Sequence, residues 1–257
     1  METEISSCIV KEFLEDFLRN LHTDVIIAGA GPAGLTAARY LARQGIKTVV
    51  FERNLWVGGG MWGGGMLFPK IVVEEEASAI LKEIGVRLQS AGSFFVADPA
   101  EAVSKCTSSA IDAGAKIFTG MEIEDLVVKN AQVCGVVINW SAAKLAKLHV
   151  DPIGVESKLV IDATGHEASL AKILSEKVAG AKLPTPTGKI VGEGSMNAEL
   201  AEEEVVKWTR EVYPGLIVAG MAASAVFGCP RMGPIFGGML LSGKRAAEIA
   251  AEMLKSR

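Results

Sequence analysis

Histidine, cysteine and tyrosine are scarce in this chain, and it carries no cluster of basic residues. Its 257 residues include three histidines, four cysteines and two tyrosines, with aromatics at only 6%. Cys8, Cys106, Cys134 and Cys229 lie far apart with no C-x-x-C pair, which argues against a structural zinc site or a dithiol motif and leaves free thiols as the expectation. The formal charge is −4, and no run of Lys and Arg interleaves with aromatics, so the electrostatic footprint of a nucleic-acid binder is missing. The longest apolar run, Leu216 to Cys229, falls short of the ~18 to 20 residues that span a bilayer, and Pro230 and Arg231 close it. No membrane span is expected. The amino terminus has early acidic residues and lacks the basic-then-apolar pattern of a secretory signal, which points to a cytoplasmic protein.

What is present is a globular α/β pattern, 49% apolar and 22% charged, read as a single domain over residues 1–257. Residues 6–21 place Ile9, Val10, Phe13, Leu14, Phe17, Leu18 and Leu21 on one helical face, behind Ser6 and Ser7 as candidate caps. This amphipathic helix should dock on the body or on a neighbouring molecule. Residues 24–29 and 48–52 read as buried parallel strands joined by a helix over 33–44, one βαβ unit. Six glycines between 58 and 65 surround Met61 and Trp62, a loop where backbone must approach something closely. A helix is predicted over 74–90, a strand at 94–96, a helix over 99–113, and a β-rich insertion over about 115–140 with a hairpin at Asn130. Residues 158–162 read as another core strand, 167–176 as a helix, and 180–198 as a mobile Pro- and Gly-rich stretch. A last core strand at 216–219 and a helix over about 239–255 complete the reading.

Gly29-Ala30-Gly31-Pro32-Ala33-Gly34 matches G-x-G-x-x-G in its required context: a strand precedes it, a helix follows, and Glu52 ends the next strand. Gly29, Gly31 and Gly34 allow backbone amides and the positive helix end to meet a pyrophosphate, while Glu52 can accept from ribose hydroxyls. Because Glu52 precedes Arg53, with no basic residue replacing the acid, the ligand should be NAD-like or FAD-like rather than NADP. The Gly-rich loop and the strand ending in Asp162-Ala163-Thr164-Gly165 resemble flavoproteins with two dinucleotide-binding domains. The fold expected is therefore α/β, a Rossmann core with a parallel central sheet and a smaller antiparallel insertion. In that superfamily a later strand usually ends in Gly-Asp; here Gly220-Met221 stands there, which counts against a flavin, and no second G-x-G-x-x-G unit is found.

Two of the three histidines bracket residues 149–166, with Asp151 beside the first. His166 lies just past the carboxyl end of a core strand, the edge where open α/β sheets bind ligands. One imidazole with one carboxylate suits a divalent first-row metal with open positions, so His166 and Asp151 are candidate ligands. In a homo-oligomer they can come from different subunits.

GAGPAGL, FERN followed by GGGMWGGGM, LHVDP, DATGH and CPRMGPIFGGMLLSGKRAAE together resemble the thiamine thiazole synthase family over about residues 5–255. The resemblance implies that NAD is consumed as a substrate: nicotinamide leaves, the ADP-ribose part condenses with glycine, and sulfur is added to give an ADP-linked thiazole carboxylate. In the fungal and plant branch a cysteine in the turn matching LHVDP supplies the sulfur; here that position is His149, which matches the archaeal branch using free sulfide, Fe(II) and repeated turnover. His149 either contacts the intermediate or fills the vacated cysteine position. The resemblance also assigns Ala33, Gly60 and Met221 to NAD contacts, Ile123 to adenine through its backbone, and Arg231 to the glycine carboxylate. It further implies a homo-octamer in which Asp151 and His166 of different subunits share the metal. The runner-up reading is a flavin-dependent oxidoreductase of the same fold.

Overall fold

The apolar runs read as buried strands are strands with both faces covered. The computed structural model describes residues 1–256. Helix α1 (Glu2–Arg19) leads to strand β1 (His22–Ala28), helix α2 (Pro32–Ala42) and strand β2 (Thr48–Glu52). A short 3-10 turn (Gly59–Gly63) precedes β3 (Ile71–Glu74), α3 (Glu75–Glu83), β4 (Gln89–Ala91) and β5 (Phe94–Ala97). There follow α4 (Pro99–Asp112), β6 (Lys116–Thr119), the hairpin β7 (Met121–Lys129) and β8 (Gln132–Trp140), α5 (Ser141–Leu145) and β9 (Ile153–Asp162). The chain ends with α6 (Ser169–Lys177), α7 (Ala198–Lys207), β10 (Arg210–Tyr213), β11 (Leu216–Val218), α8 (Met221–Phe227) and α9 (Gly237–Lys255).

The main sheet runs β10-β11-β9-β1-β2-β6, and β8 joins β9 antiparallel to carry β7. Strands β11, β9, β1, β2 and β6 are mutually parallel. Alternate residues feed two cores. Val25, Ile27, Val50, Leu159, Ile161 and Ile217 pack with α2, α3, α4 and α9, whereas Ile26, Ala28, Val49, Phe51, Val160 and Val218 face α6, α8 and the β7–β8 hairpin. Strand β1 sits between β9 and β2. The chain leaves β1 toward β2 on one side and reaches β9 on the other, so a topological switch point, the usual ligand crevice of such sheets, opens at their carboxyl ends.

Several local expectations change on contact with the tertiary structure. The predicted helix over 74–90 stops at Glu83, because Gly85 adopts φ +78° and Val86 donates back to the Leu81 carbonyl. Residues 89–91 instead form β4, and β3, β5 and β4 build a separate antiparallel sheet. The antiparallel part is thus divided: the hairpin at 121–140 joins the main sheet, and the independent small sheet lies at 71–97. Asn130 and Ala131, at φ +51° and +56°, turn the predicted hairpin with the primed geometry that matches strand twist. Strand β9 begins at Ile153, five residues before the predicted start, because β8 pairs antiparallel with its residues 153–156.

Helix α1 begins at Glu2, so Ser6 lies inside it and donates to the Glu2 carbonyl rather than capping. Phe13 and Phe17 dock it through ring contacts with Phe118 and Trp140. Ile5, Ile9, Val10, Leu14 and Leu18 remain exposed on this chain. Residues 180–198, expected as a mobile stretch, are irregular but stitched to their neighbours. Val191 and Gly192 donate to Val226 and Ala225, Gly194 donates to Cys229, and Asn197 donates to Arg231. Asn197 then caps α7, an element the sequence reading did not find. Among the described residues, no helix is long and apolar enough to cross a membrane.

Candidate functional site

The glycine turn is built by packing that leaves no room for side chains. Gly29 takes φ +97° and its amide donates to the Phe51 carbonyl at 2.8 Å. Gly34 lets α2 sit directly on the turn, since a Cβ there would lie 2.0 Å from the Gly29 carbonyl oxygen. Gly31 precedes Pro32, the first residue of α2, and a Cβ at Gly31 would meet nothing within 4 Å. That open space lies in front of the positive end of an eleven-residue helix.

Glu52 is tied into the turn itself. It is 6% exposed; Oε2 accepts from the Ala30 amide at 2.8 Å, and Oε1 accepts from the backbone and side-chain nitrogens of Asn54, both at 2.9 Å. A carboxylate has about four acceptor sites, so one remains for a ligand. Arg53 pairs with Glu167 at 2.9 Å, which raises the guanidinium pKa and lowers that of the carboxyl.

Asp162 lies buried behind the residues 163–167 that line the cleft. Fully buried at the end of β9, it accepts from the Thr164 amide and hydroxyl and from the Leu170 and Ala171 amides at 2.6–3.1 Å. Burial pushes its carboxyl pKa up while these four donors oppose the shift. The last two belong to the first turn of α6, so one carboxylate holds the whole turn 163–171 that carries His166. His166 reaches Glu193, with Nδ1 and Oε1 2.6 Å apart.

These pieces surround a cleft of about 680 Å³. Gly29, Gly31, Ala33, Glu52, Arg53, Gly60, Ile123, His166, Met221 and Arg231 all line it. Gly34 does not, because it is the buried contact between α2 and the turn. Met221 opens α8 after Gly220, whose amide donates to the Ser242 hydroxyl at 2.6 Å. Arg231 is exposed, and its backbone is fixed by Gly194 and Asn197.

His149 and Asp151 stand apart from this assembly. Both are exposed on the segment between α5 and β9, and neither lines the cleft of its own chain. Leu145, Leu148 and Val150 beside them are also exposed. Among the described residues of one chain, no three His, Cys, Asp or Glu side chains converge as a metal cage. His166 contributes an imidazole whose Nδ1 is engaged while Nε2 has no hydrogen bond within the described residues. An imidazole nitrogen with one carboxylate fits a divalent first-row ion with open positions, provided that the carboxylate arrives from a second copy.

None of the four cysteines lines the cleft. Cys106 and Cys229 are buried, and burial pushes their thiol pKa values up to about 12 and about 11. Cys8 is exposed on α1, away from the cleft. Sequence reasoning missed Asp162, Asn54 and Glu193. Asp162 opens the DATGH stretch and so carries a signal, whereas Glu193 gives none beyond a carboxylate between two glycines.

The sheet order, the glycine turn and the cleft at the switch point define an α/β protein of the flavoprotein-like Rossmann class. Residues 6–236 match the Thi4 family, and the chain belongs to it. It is 51% identical over 255 residues to a thiamine thiazole synthase of Methanothermobacter thermautotrophicus, covering 99% of this chain and 98% of that one. With the protein of the same name from Pyrococcus horikoshii it shares 49% over 256 residues, 99% of each chain. The crystal structure of Thermovibrio ammonificans THI4 superposes with a TM-score of 0.95 at 46% identity, covering 99% of this chain and 98% of the other.

Proposed function

We propose that this chain is a thiamine thiazole synthase that converts NAD, glycine and free sulfide to ADP-linked 5-(2-hydroxyethyl)-4-methylthiazole-2-carboxylate, releasing nicotinamide, over repeated turnovers in the cytoplasm. Family membership supports the ring-forming activity. The choice of sulfur source is supported by His149, which the resemblance matches to the position where the fungal and plant branch carries its cysteine donor, and by the absence of any cysteine from the cleft lining. An imidazole holds no sulfur to give, and Cys106 and Cys229 are buried, neutral thiols that make poor nucleophiles, so the sulfur is proposed to enter as free sulfide.

The roles are those the family resemblance implies, and all of their residues except Gly34, His149 and Asp151 line the cleft of the same chain. The Gly29–Gly34 turn and the α2 amino terminus receive the pyrophosphate, the remaining acceptor site of Glu52 takes a ribose hydroxyl, and Arg53, Gly60, Ile123, Ala33 and Met221 flank the nucleotide. Arg231 holds the glycine carboxylate through its guanidinium fork. His166 and Asp151 of a second copy hold Fe(II), with His149 on the same incoming turn. Bound there, iron(II) would supply open coordination positions that deliver sulfide to the ADP-ribose-derived carbonyl. The exposed apolar rows on α1 and around Leu145, Leu148 and Val150 support self-association, with the homo-octamer as the proposed assembly.

The test is anaerobic incubation with NAD, glycine, sulfide and iron(II), then mass spectrometry of the nucleotides. The ADP-thiazole carboxylate should form only when sulfide is added. Intact NAD, or equal product without sulfide, would reject the proposal.

A further inference from the structure

We propose that Glu193 is a positioning residue for His166: it fixes the imidazole with Nδ1–H toward the protein and the Nε2 lone pair toward the cleft. The inference rests on the reading that His166 holds a divalent ion. Its geometry stands independently of that reading.

Glu193 is the more buried partner of the pair, its side chain 15% exposed against 57% for His166. An ionised carboxylate can only accept hydrogen bonds. At 2.6 Å from Oε1, Nδ1 must therefore carry the hydrogen, and in the neutral ring the lone pair falls on Nε2. The orientation of an imidazole and the choice of its ligating nitrogen are set by the group bonded to its other nitrogen, and such outer partners raise ligand basicity as well.

Glu193 is itself held by a strap rather than a free loop. Val191 and Gly192 donate to Val226 and Ala225 at 3.1 and 2.9 Å, Gly194 donates to Cys229 at 2.9 Å, and Arg231 donates to Gly194 at 3.3 Å. The strap packs closely enough that a Cβ at Gly228 would lie 2.7 Å from Val191 Cγ1. Its far end reaches Asn197, whose amide donates to the Arg231 carbonyl and whose side chain caps α7. One segment thus registers the imidazole on the 163–171 turn against the backbone of Arg231, two groups that approach the cleft from different elements.

Anaerobic titration of the nucleotide-free protein with cobalt(II), followed by the visible absorption of the bound ion, tests this on wild type, Glu193→Ala and Glu193→Gln. Losing such an outer partner typically weakens metal affinity about 10–100-fold, and that is the expected result for Glu193→Ala. Glu193→Gln keeps a carbonyl acceptor for Nδ1–H and should stay within a few-fold of wild type, with NAD affinity unchanged in both variants. Wild-type cobalt affinity in Glu193→Ala would overturn the inference while leaving the His166 reading intact. Equal losses in the two variants would overturn it differently, making the carboxylate a direct ligand. No cobalt binding by the wild type would remove the metal reading and this inference together. Should Glu193→Ala fail to fold, Glu193→Asp, with its carboxylate withdrawn by one methylene, takes its place and should weaken binding.

Discussion

Two glycines in the turn that follows β1 are required for opposite reasons, and one experiment separates them. At Gly34 an added Cβ would lie 2.0 Å from the Gly29 carbonyl oxygen, where ordinary contact begins at 3.4 Å. Helix α2 would have to retreat from the turn by more than about 1 Å in a close-packed core. Overpacking of this kind costs about 1–3 kcal/mol, and more where backbone must move. At about 2–4 °C per kcal/mol for a chain of this size, Gly34→Ala should lower the melting temperature by about 6 °C or more. Gly31 has φ −77°, an ordinary angle for any residue, and empty space around it. Gly31→Ala should change stability by less than about 1 kcal/mol, since the loss of unfolded-state entropy offsets a poorer cap. Its methyl group would stand where the proposed function puts the pyrophosphate, and a loss of about tenfold in NAD affinity or more, about 1.4 kcal/mol, is expected. Thermal melts and calorimetric NAD titrations of the two variants supply the readout. Wild-type NAD affinity in Gly31→Ala would refute binding at this turn, and a wild-type melting temperature in Gly34→Ala would refute the packing argument.

Asp162→Ala should cost about 3–5 kcal/mol, because it strands four donors at once, two of them fully buried amides; a denaturation midpoint within error of wild type would contradict this. Glu202 is 5% exposed with Oε1 unpartnered, and burial pushes its pKa up to about 7. A raised acid binds more protons folded than unfolded, so its penalty is absent below about pH 4.5, grows as pH rises, and is full above about pH 7. Glu202→Gln should therefore be more stable than wild type at pH 8 by about 3 kcal/mol and equal to it near pH 4.5, measured by urea unfolding; a pH-independent difference would dismiss the titration. Combining Ile9→Glu with Leu14→Glu, both exposed on α1, should leave the circular dichroism of the chain intact and lower the particle mass in light scattering; an unchanged mass would take α1 out of the interface.

What was legible in the sequence was local. The glycine turn, Glu52 and the paired strands around them are set by contacts within about twenty residues, and their side-chain requirements appear as a motif. The Asn130 hairpin and the stop at Gly85 also have local causes, although the apolar pattern on either side of Gly85 continues that of a helix. Asn197 carried a readable cap signal, but the Pro- and Gly-rich stretch before it masked the start of α7. Glu193 was not readable because its meaning lies in a partner brought close by the fold, His166, 27 residues away; the partners of Asp162 lie within nine residues, but no motif marks a carboxylate that holds the turn after its own strand. The separation of Asp151 from His166 is likewise invisible in a motif that sets them 15 positions apart in sequence. Chain spacing does not say whether two residues meet within one copy or across two.

The measurement that bears most directly on the central claim is the number of ADP-thiazole carboxylate molecules formed per chain, with the intact mass of the protein recorded before and after reaction. Under anaerobic conditions with NAD, glycine, sulfide and iron(II), product should exceed the number of chains while the protein mass stays constant. Product capped at one per chain, with each chain lighter by the mass of hydrogen sulfide lost from a cysteine, would show that the protein spends its own thiol and would contradict the account.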